Sequence, residues 1–500
     1  MPADRSRGAR RGGSTASVHS DAVTSSAASQ STRRSSRLFS DAFTPESDLS
    51  SVPTTPEPET PATIVIQGQT LEPTVVFDTL WRWLTERKAI DDKRRAGMPQ
   101  PWTTDKILQT YKFCNAYRVL DRTSQFVVRD VIEQGSQDRT ELLFRILLFN
   151  CFNRIETWTL LKDAFGGELT YAAFDLAAYD RVLDAALNDQ SLFTGAYIKI
   201  GKPLDYSTNH MHYLQQLQIL MRDLPPILEN ATYVADVYEQ IAAYPGMGAF
   251  LAYQLLLSLL YSPLLPFSAN DFVVPGPGAS SGLTKMFGRS LRAAREAVPD
   301  IETHILHWLV ATQHTHFARL GLAFAFLRDA AGAARALDAA DLEHAVCEVD
   351  KYARNAHPSV RGIGNRRGMR GVFHASPSAL PAVPTLPRAW ADPARRQARV
   401  RPTPVDVEKR WVIVEVLGER ATPPQRRVVH SDAIEYKVSW LRDISTWEPR
   451  YAILDDAPEL VEEYEARKGA KGAPRCEPEL VEDAKASKGK KGKKGKKGRR

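Results

Sequence analysis

Residues 233–261 read YVADVYEQIAAYPGMGAFLAYQLLLSLLY, and this stretch decides the fold around it. Apolar residues recur with a period of about 3.6 before the turn at 245–248, and apolar residues surround nearly all of the segment that follows. The pattern predicts two helices, the second running from about Ala249 to Tyr261. Pro245 stops the first helix, and the glycines after it permit a positive φ, so the connection is very tight.

The turn is a candidate DNA-binding element. Unpaired backbone N–H groups at the start of the second helix suit a phosphate oxygen, which makes Pro245, Gly246 and Gly248 candidate DNA-binding residues. Asn270 and Asp271 follow, and Asp271 lies 25 positions after Gly246. A tight turn between buried helices, and an aspartate that caps a turn, are the alternative interpretations of the same residues.

This segment resembles the helix-hairpin-helix DNA glycosylases, in which a Pro-Gly-x-Gly hairpin holds the strand and a later aspartate faces the sugar of a flipped nucleotide. The resemblance implies an all-α glycosylase-like fold and a catalytic role for Asp271, with Asn270 beside it. In that family the lyase subclass carries a Schiff-base lysine at the position of Phe250. The missing amine nucleophile argues against lyase chemistry in this chain.

Composition separates the basic ends of the chain from its middle. The formal net charge is +7, and Lys485 to Arg500 contain ten basic residues and no acid. Non-specific affinity for DNA is therefore expected to come mostly from the termini and to fall steeply with salt. The four cysteines are far apart and the histidines lack a recognised ligand spacing, so no disulfide, metal site or cofactor is predicted. Polar residues interrupt the apolar run 250–265, which predicts a buried helix and no membrane contact.

The chain divides into five parts by composition and periodicity. Residues 1–74 are rich in Ser, Thr, Pro and Arg and are predicted to be disordered. Helical spacing predominates in 75–375 and predicts one all-α domain. Recurring prolines in 376–407 predict a semi-stiff linker, and alternating strands with a short helix follow in 408–467. Residues 468–500 form a Lys/Gly-rich tail that is predicted to be disordered. The predicted fold class is mainly α with a small β-rich C-terminal domain.

Several separate segments of the all-α region resemble one family. They are Trp102-Thr-Thr-Asp-Lys-Ile-Leu108, Phe113-Cys-Asn-Ala-Tyr-Arg118, Asp121-Arg122, Thr194-Gly-Ala-Tyr-Ile198, Asn270 to Ala279 and Cys347 to Arg354. Together they resemble the helical domain named for 5-hydroxymethyluracil DNA kinase and for α-glutamyl/putrescinyl thymine pyrophosphorylase. The resemblance implies recognition of, or action on, a modified pyrimidine in DNA. The chain has no Gly-x-x-x-x-Gly-Lys-Ser/Thr sequence to cradle ATP phosphates, so kinase chemistry is not inferred from the family name.

Two further sets of side chains are candidates for DNA contact. An amide and two guanidinium groups, with a tyrosine, are predicted to share one helical stripe, from which they could read a base edge or hold phosphates. These residues are Tyr111, Asn115, Arg118 and Arg122. Arg366 and Arg367 lie in a glycine-rich segment that suits a phosphate-binding loop. In both sets a solvated polar surface is the alternative interpretation.

Four segments near the C-terminus resemble a chromodomain: 410–420, 435–441, 445–449 and 460–464. The resemblance implies a bent antiparallel sheet closed by a C-terminal helix, and an aromatic cage for a trimethylammonium group. Trp411 and Trp440 match two cage positions, whereas Asp443 occupies the third and weakens the cation–π site. Trp447 is expected to pack in the core. A histone tail or another chromatin component is the implied partner.

The sequence therefore predicts a nuclear DNA-binding protein that modifies or recognises a 5-substituted, hydroxymethyl-type pyrimidine in DNA and is tethered to chromatin by its C-terminal domain. As an enzyme it would be a pyrophosphorylase-type transferase or a monofunctional glycosylase-like protein. The main alternative is a non-enzymatic chromatin or DNA adaptor that keeps the helical fold without the chemistry. A transposon-derived protein is a third alternative, which the lack of a recognisable polymerase or integrase region weakens.

Overall fold

A computed structural model describes residues 61–197, 199, 208–244, 246–364, 368–369, 371–375, 379–396, 398–401, 413–422, 433–440 and 444–471. This part of the chain is mainly helical, with a small β-rich region at its C-terminal end. The coarse fold class expected from the periodicity is therefore confirmed. No helix within these ranges combines the length and the apolarity that a membrane span needs.

The N-terminal region is built mainly of helices. They are α1 (Val75–Arg95), α2 (Lys106–Thr110), α3 (Arg122–Phe126), α4 (Arg139–Phe152), α5 (Ile155–Ala164), α6 (Leu176–Ala186), α7 (Asn209–Asn230), α8 (Val234–Ala242), α9 (Ala249–Leu260), α10 (Pro277–Ala297), α11 (Ile301–Arg319) and α12 (Ala339–Ala356). Side-chain caps start several of them: Thr74 accepts the Val76 N–H at 3.2 Å, and Asp338 and Asp341 form a capping box at α12.

The core surrounds α9, as its nearly all-apolar sequence predicts. This helix packs against α8 and α4, and α12 packs against α10, α1 and α11. Ala252, Leu256 and Leu259 of α9 have no solvent exposure. The bounds of α9 agree with the helix predicted from about Ala249 to Tyr261.

Part of the segment that was expected to be disordered forms a β-hairpin. Antiparallel strands β1 (Ile64–Ile66) and β2 (Gln69–Leu71) are joined by Gln67 and Gly68, which both have positive φ. Ile64, Ile66 and Leu71 are buried in the core. Burial of these three apolar side chains stabilises the hairpin. The polar composition of residues 1–74 as a whole did not predict it. A second short antiparallel pair, β3 (Leu327–Arg328) and β4 (Ala334–Arg335), lies between α11 and α12.

The proline-rich segment differs from the expected linker, because its described residues lie against the helical region. We call residues 379–396 and 398–401 the strap. The guanidinium of Arg395 is 8% exposed and donates to four carbonyls at the end of α9 and in the loop after it. The acceptors are the carbonyl oxygens of Leu260, Ser262, Leu265 and Phe267. These contacts satisfy carbonyls that a helix end leaves unpaired and place a cation at the negative end of its dipole.

The C-terminal region contains a three-stranded antiparallel sheet and two helices. Strands β5 (Ile413–Ala421), β6 (Ile434–Trp440) and β7 (Ile444–Pro449) lie in the order β5-β6-β7. Helices α13 (Arg450–Asp456) and α14 (Pro458–Lys471) follow, and α14 packs on β5. This architecture is compatible with the predicted chromodomain, which stays a prediction.

Replacing Arg395 by Met should destabilise the fold by about 3–5 kcal/mol, because the buried carbonyls lose a charged donor that methionine cannot replace. Arg388→Met is the matched control on the same strap, since the Arg388 side chain is 84% exposed and its bond to Glu133 is a surface ion pair. Urea unfolding of both variants measures the difference. Equal stability of the two would contradict the role given to Arg395.

Candidate functional site

The turn between α8 and α9 has the tight geometry that its sequence predicts. Gly246 has φ +82°, and Gly248 is the exposed N-cap of α9. A Cβ on Gly246 would lie 2.8 Å from Nε2 of His212, whereas a Cβ on Gly248 would meet no atom within 4 Å. Pro245 lies outside the described residues. The two helices and the turn are confirmed, and their assignment as a DNA-binding hairpin stays a prediction.

His212 supports the turn from beneath as an uncharged group. Its side chain is 1% exposed, and neither ring nitrogen has a hydrogen-bond partner. Burial lowers the pKa of His212 to about 4. The imidazole is therefore neutral near pH 7 and acts as packing under Gly246.

Asp271, the predicted catalytic carboxylate, is enclosed. Its side chain is 3% exposed; Oδ2 accepts the Ser268 N–H at 2.9 Å and Oδ1 accepts the Arg399 N–H of the strap at 3.2 Å. The exposed Asn270 accepts the Ala339 N–H at 2.9 Å and so helps to start α12. Both side chains organise backbone here, as the alternative interpretation expected. A catalytic role for Asp271 stays a prediction, and it requires the strap to move.

The predicted helical stripe at 111–122 is wrong. The segment leaves helix α2 at Thr110, runs irregularly, forms a short 3-10 turn at Arg118–Leu120 and enters α3 at Arg122. Tertiary acceptors replace helical hydrogen bonds, because Asp121 accepts the Asn115 N–H and Asp341 accepts the Arg118 N–H, each at 2.7 Å. The side chains that a helical period would place on one face, from Tyr111 to Arg122, are therefore separated.

The separated side chains have different surroundings. Asn115 is 6% exposed and donates to the Leu120 carbonyl at 2.8 Å. Arg122 is 78% exposed and pairs loosely with Glu156 at 3.4 Å. Arg118 turns into the protein. Their DNA-binding roles stay predictions, but Asn115 and Arg118 could not contact DNA from one helical face.

Arg118 is the centre of an interior polar group that we call the Arg118 cluster: Arg118, Asp121, Gln254, Glu343 and His344. The Arg118 guanidinium donates to the Gln254 side-chain oxygen and lies 3.5 Å from Nδ1 of His344. The other ring nitrogen of His344 lies 3.3 Å from Asp121. Burial by itself lowers the pKa of Arg118, but nearby Tyr261, Asp121 and Glu343 outweigh it, and the net pKa is raised. The guanidinium therefore remains a fixed cation.

Glu343 supplies a carboxyl group beside this cation. It is 6% exposed, and its Oε1 accepts the Gly276 N–H at 2.9 Å. Burial raises the pKa of Glu343, against the opposing influence of that hydrogen bond, His344 and Arg118. The hydroxyl of Tyr253, 2% exposed and subject to the charge of Glu343, has no hydrogen-bond partner. A carboxyl group with a raised pKa beside an unpaired hydroxyl can act in proton transfer.

A small cavity beside Arg118 is closed by the strap. Its volume is about 10 Å³, which holds one water, and its wall includes Arg118, Tyr261, Asp341 and Trp390. The Trp390 ring lies 5.9 Å from the Tyr261 ring, and the Arg335 guanidinium lies over the Trp390 ring at 3.7 Å. A pyrimidine could enter beside Arg118 only after Trp390 had moved.

Glycines allow α10 and α12 to pack closely. A Cβ on Gly278 would lie 2.2 Å from Sγ of Cys347, and a Cβ on Gly282 would lie 2.3 Å from the Val346 carbonyl oxygen. Any larger residue would separate the two helices. The sequence segments at 113–122, 270–279 and 347–354, which are remote in the chain, therefore meet at one place.

Sequence reasoning missed Gln254, Glu343 and His344. Gln254 was detectable as an isolated amide within an otherwise apolar helix, since a buried polar group needs a partner. Glu343 and His344 lie just before the Cys347 to Arg354 segment and carried no motif of their own. Only the approach of α12 to α9 gives them a role.

One group consists of side chains that commonly bind metals, but cationic side chains next to it disfavour a metal ion. Ligand atoms of Cys114, His344 and Glu348 lie within 4.8 Å of one another. Sequence spacing could not reveal the group, because Cys114 precedes the other two by more than two hundred residues. Lys351 already pairs with Glu348, and Arg118 adjoins His344. Two cations beside the ligand atoms favour an ion-paired network, and we assign no metal to it.

The C-terminal sheet places its tryptophans differently from the prediction. Trp440 lies with Tyr436 and Val438 on the buried face, is 8% exposed, and donates from Nε1 to Thr446 at 2.6 Å. Trp447, expected in the core, is half-buried and carries the Arg420 guanidinium 4.2 Å above its ring. The burial of Trp440 does not support a cage wall. The alternation of side chains along a strand explains why Trp440 is buried and Trp447 is not. Trp447 pairs with Lys437, which faces away from Tyr436 and Val438.

Other predicted site residues cannot be placed. Trp411, Asp443, Arg366 and Arg367 lie outside the described residues. Their predicted roles in the aromatic cage and in phosphate binding remain predictions.

Comparisons with known proteins identify relatives of the helical region. Residues 74–362 match the family described as 5-hmdU DNA kinase, helical domain. The chain is similar to the 5-hmdU DNA kinase of Bacillus phage SP10, with 24% identity over 328 residues that cover 61% of this chain and 48% of the phage protein. The chain thus spans about half the length of this curated relative. No solved structure matches the chain.

Gly246→Ala should destabilise the protein by at least about 1–2 kcal/mol, because alanine is strained at positive φ, and contact with His212 adds to this. Gly248→Ala should cost less than about 1 kcal/mol, since its Cβ meets open space. Thermal unfolding and binding to a duplex, both measured by fluorescence, compare the two variants. If DNA binding requires the turn, affinity should fall for both variants, since Gly246 and Gly248 are both candidate contacts. Equal losses of thermal stability in the two variants would oppose the geometry described.

Proposed function

The chain belongs to the family of 5-hmdU DNA kinase helical domains, and on that premise we propose that it recognises or modifies a pyrimidine with a hydroxymethyl-type substituent at C5 in DNA. The observation that carries the proposal is the Arg118 cluster, which contains or contacts residues from three segments of the family resemblance, 113–118, 121–122 and 270–279. A fixed cation contacts an amide and an imidazole there, and a buried carboxyl group and an unpaired tyrosine hydroxyl lie close enough to feel its charge.

The cluster has the donors and acceptors that a uracil-type base requires. Such a base offers carbonyl oxygens to donors and an N–H to an acceptor; Arg118 can serve the former, and the Gln254 amide can serve both. A base inside a duplex cannot reach an interior site, so the nucleotide must leave the stack. Backbone amides at the start of α9 would hold the neighbouring phosphates.

For a modification reaction, Glu343 is the preferred proton acceptor. A carboxyl group with a raised pKa near Arg118 could take the proton from an amine that attacks the 5-methylene carbon and displaces an activated leaving group such as pyrophosphate. Asp271 is the second candidate, as the helix-hairpin-helix resemblance implies, provided that Arg399 withdraws from it.

A non-enzymatic adaptor is the second candidate function, and the enclosure of Asp271 favours it. Both carboxylate oxygens accept backbone amides, and the strap covers the aspartate. In this alternative the helical region binds modified DNA without turnover. With either function we propose a nuclear location and a chromatin contact through the chromodomain-like C-terminal region, in which a histone tail is the expected partner.

Arg118→Met should weaken binding to a duplex that contains 5-hydroxymethyluracil at least tenfold, because it removes a charged donor worth about 1.5–3 kcal/mol. Arg122→Met, on the exposed side of the same segment, should lose affinity equally for modified and unmodified duplexes, or not at all. Fluorescence anisotropy with thymine, 5-hydroxymethyluracil and its phosphorylated form gives the comparison. Wild-type binding that does not discriminate among the three would contradict the proposal.

Nucleoside mass spectrometry after incubation with the same duplexes separates the two candidate functions. Loss of a product in Glu343→Gln or Asp271→Asn would support an enzyme and identify its carboxylate. Discriminating binding without any product, unchanged by both substitutions, would support the adaptor.

Trp390→Ala should increase the affinity for the modified duplex severalfold, since removal of the indole opens the cavity beside Arg118 without touching the cluster. Trp308→Ala, which removes a half-buried indole that borders neither this cavity nor the cluster, is the control. Anisotropy titrations measure both variants. Unchanged or weaker binding by Trp390→Ala would place the base elsewhere.

A further inference from the structure

A second and larger cavity lies between α1, the segment 100–113 and Phe373. Its volume is about 220 Å³. Aromatic side chains form much of its wall, among them Trp102, Tyr111 and Phe113, and two arginines, Arg87 and Arg94, complete it. None of its wall residues is an aspartate or glutamate. The cavity is therefore cationic and has flat apolar surfaces.

The Arg87 guanidinium is a buried hydrogen-bond donor, and one of its nitrogen atoms lacks an acceptor. The residue is 7% exposed; its Nε donates to the Cys114 carbonyl at 2.9 Å, and its Nη1 has no partner. Asp91, one turn along α1, compensates part of the charge through space, but its Oδ2 is engaged by Arg95 at 2.6 Å. Arg87 therefore brings a positive charge to the wall of the cavity, and its unpaired buried N–H costs about 1–3 kcal/mol.

Arg94 lies on the rings of the cavity and has no ion pair in the described part of the chain. Its guanidinium carbon is 5.3 Å from the centre of the Trp102 ring and 5.8 Å from that of Phe373. When a guanidinium stacks on an aromatic ring, the ring covers its flat face. Its N–H groups point outward in the guanidinium plane and remain available to an acceptor.

From this arrangement we infer that the cavity binds a small planar anion, a single aromatic or pyrimidine ring that carries a carboxylate or a phosphate. The anionic group pairs with Arg87 and Arg94, and the ring lies against Trp102 and its aromatic neighbours. Size sets the limit of one ring, because pockets for drug-sized ligands measure about 300–1,000 Å³ and this cavity is smaller. The inference is independent of the proposed function, since no residue of the Arg118 cluster borders this cavity.

Calorimetric titration of the full chain tests it with thymidine 5′-monophosphate, benzoate, thymidine and inorganic phosphate. At least one of the two ringed anions should bind, and thymidine and phosphate should bind at least tenfold more weakly. Arg94→Gln should weaken that binding about tenfold, as expected for one charge-assisted contact. Arg82→Gln, an exposed arginine on the same helix, is the matched control. Arg87→Lys keeps the charge but not the fork geometry and should also lose affinity.

Three results would overturn the inference: binding of neither ringed anion, equal binding of inorganic phosphate, or unaltered binding by both Arg94→Gln and Arg87→Lys when circular dichroism shows them folded. Competition with a single-stranded thymidine oligonucleotide identifies the source of the ligand. Displacement of bound thymidine monophosphate would indicate a nucleotide within DNA, and retention would indicate a free small molecule.

Discussion

A guanidinium removed from water must find acceptors for its N–H groups, and this requirement organises the described part of the protein. Arg395 finds four acceptors, which are carbonyls of the α9 end and the following loop, and only its Nε has no partner. A residue of the strap therefore determines how the segment that leads to Asp271 is held. Arg118 meets the requirement through Gln254 and the charges around it. Arg87 meets it only in part, and the shortfall adjoins a cavity.

The same requirement links the strap to function. Arg395 anchors it, Trp390 closes the space beside Arg118, and the Arg399 amide occupies an oxygen of Asp271. One short segment thus covers both places where chemistry on a base has been proposed. The contacts that bury these groups beneath the strap also exclude a nucleotide. Binding of a base must therefore supply the free energy that displaces the strap.

Local sequence patterns predicted the structure correctly where the conformation of a segment depends on residues within that segment. The helices around the 245–248 turn follow from apolar periodicity and from Pro245 and the glycines, and the positive φ of Gly246 agrees with the need for glycine there. The same rules failed at 111–122, where spacing suggested one helix. Acceptors from Asp121 and Asp341 replaced helical hydrogen bonds, and no periodicity within the segment records them. Trp440 and Trp447 likewise exchanged their expected places, because strand pairing decides which face is buried.

What the sequence alone determined is the mainly helical class, the tight turn ahead of α9 and membership of a family, since these depend on residues near one another or on motifs in order. What only the tertiary structure decided is which polar side chains share a site. Glu343 and His344 reach Arg118 because α12 packs against the 3-10 turn at Arg118–Leu120, and the strap returns to Asp271 from 128 residues away. Such contacts arise from the free energy of burying and pairing groups that are remote in the chain, a quantity that no local pattern contains.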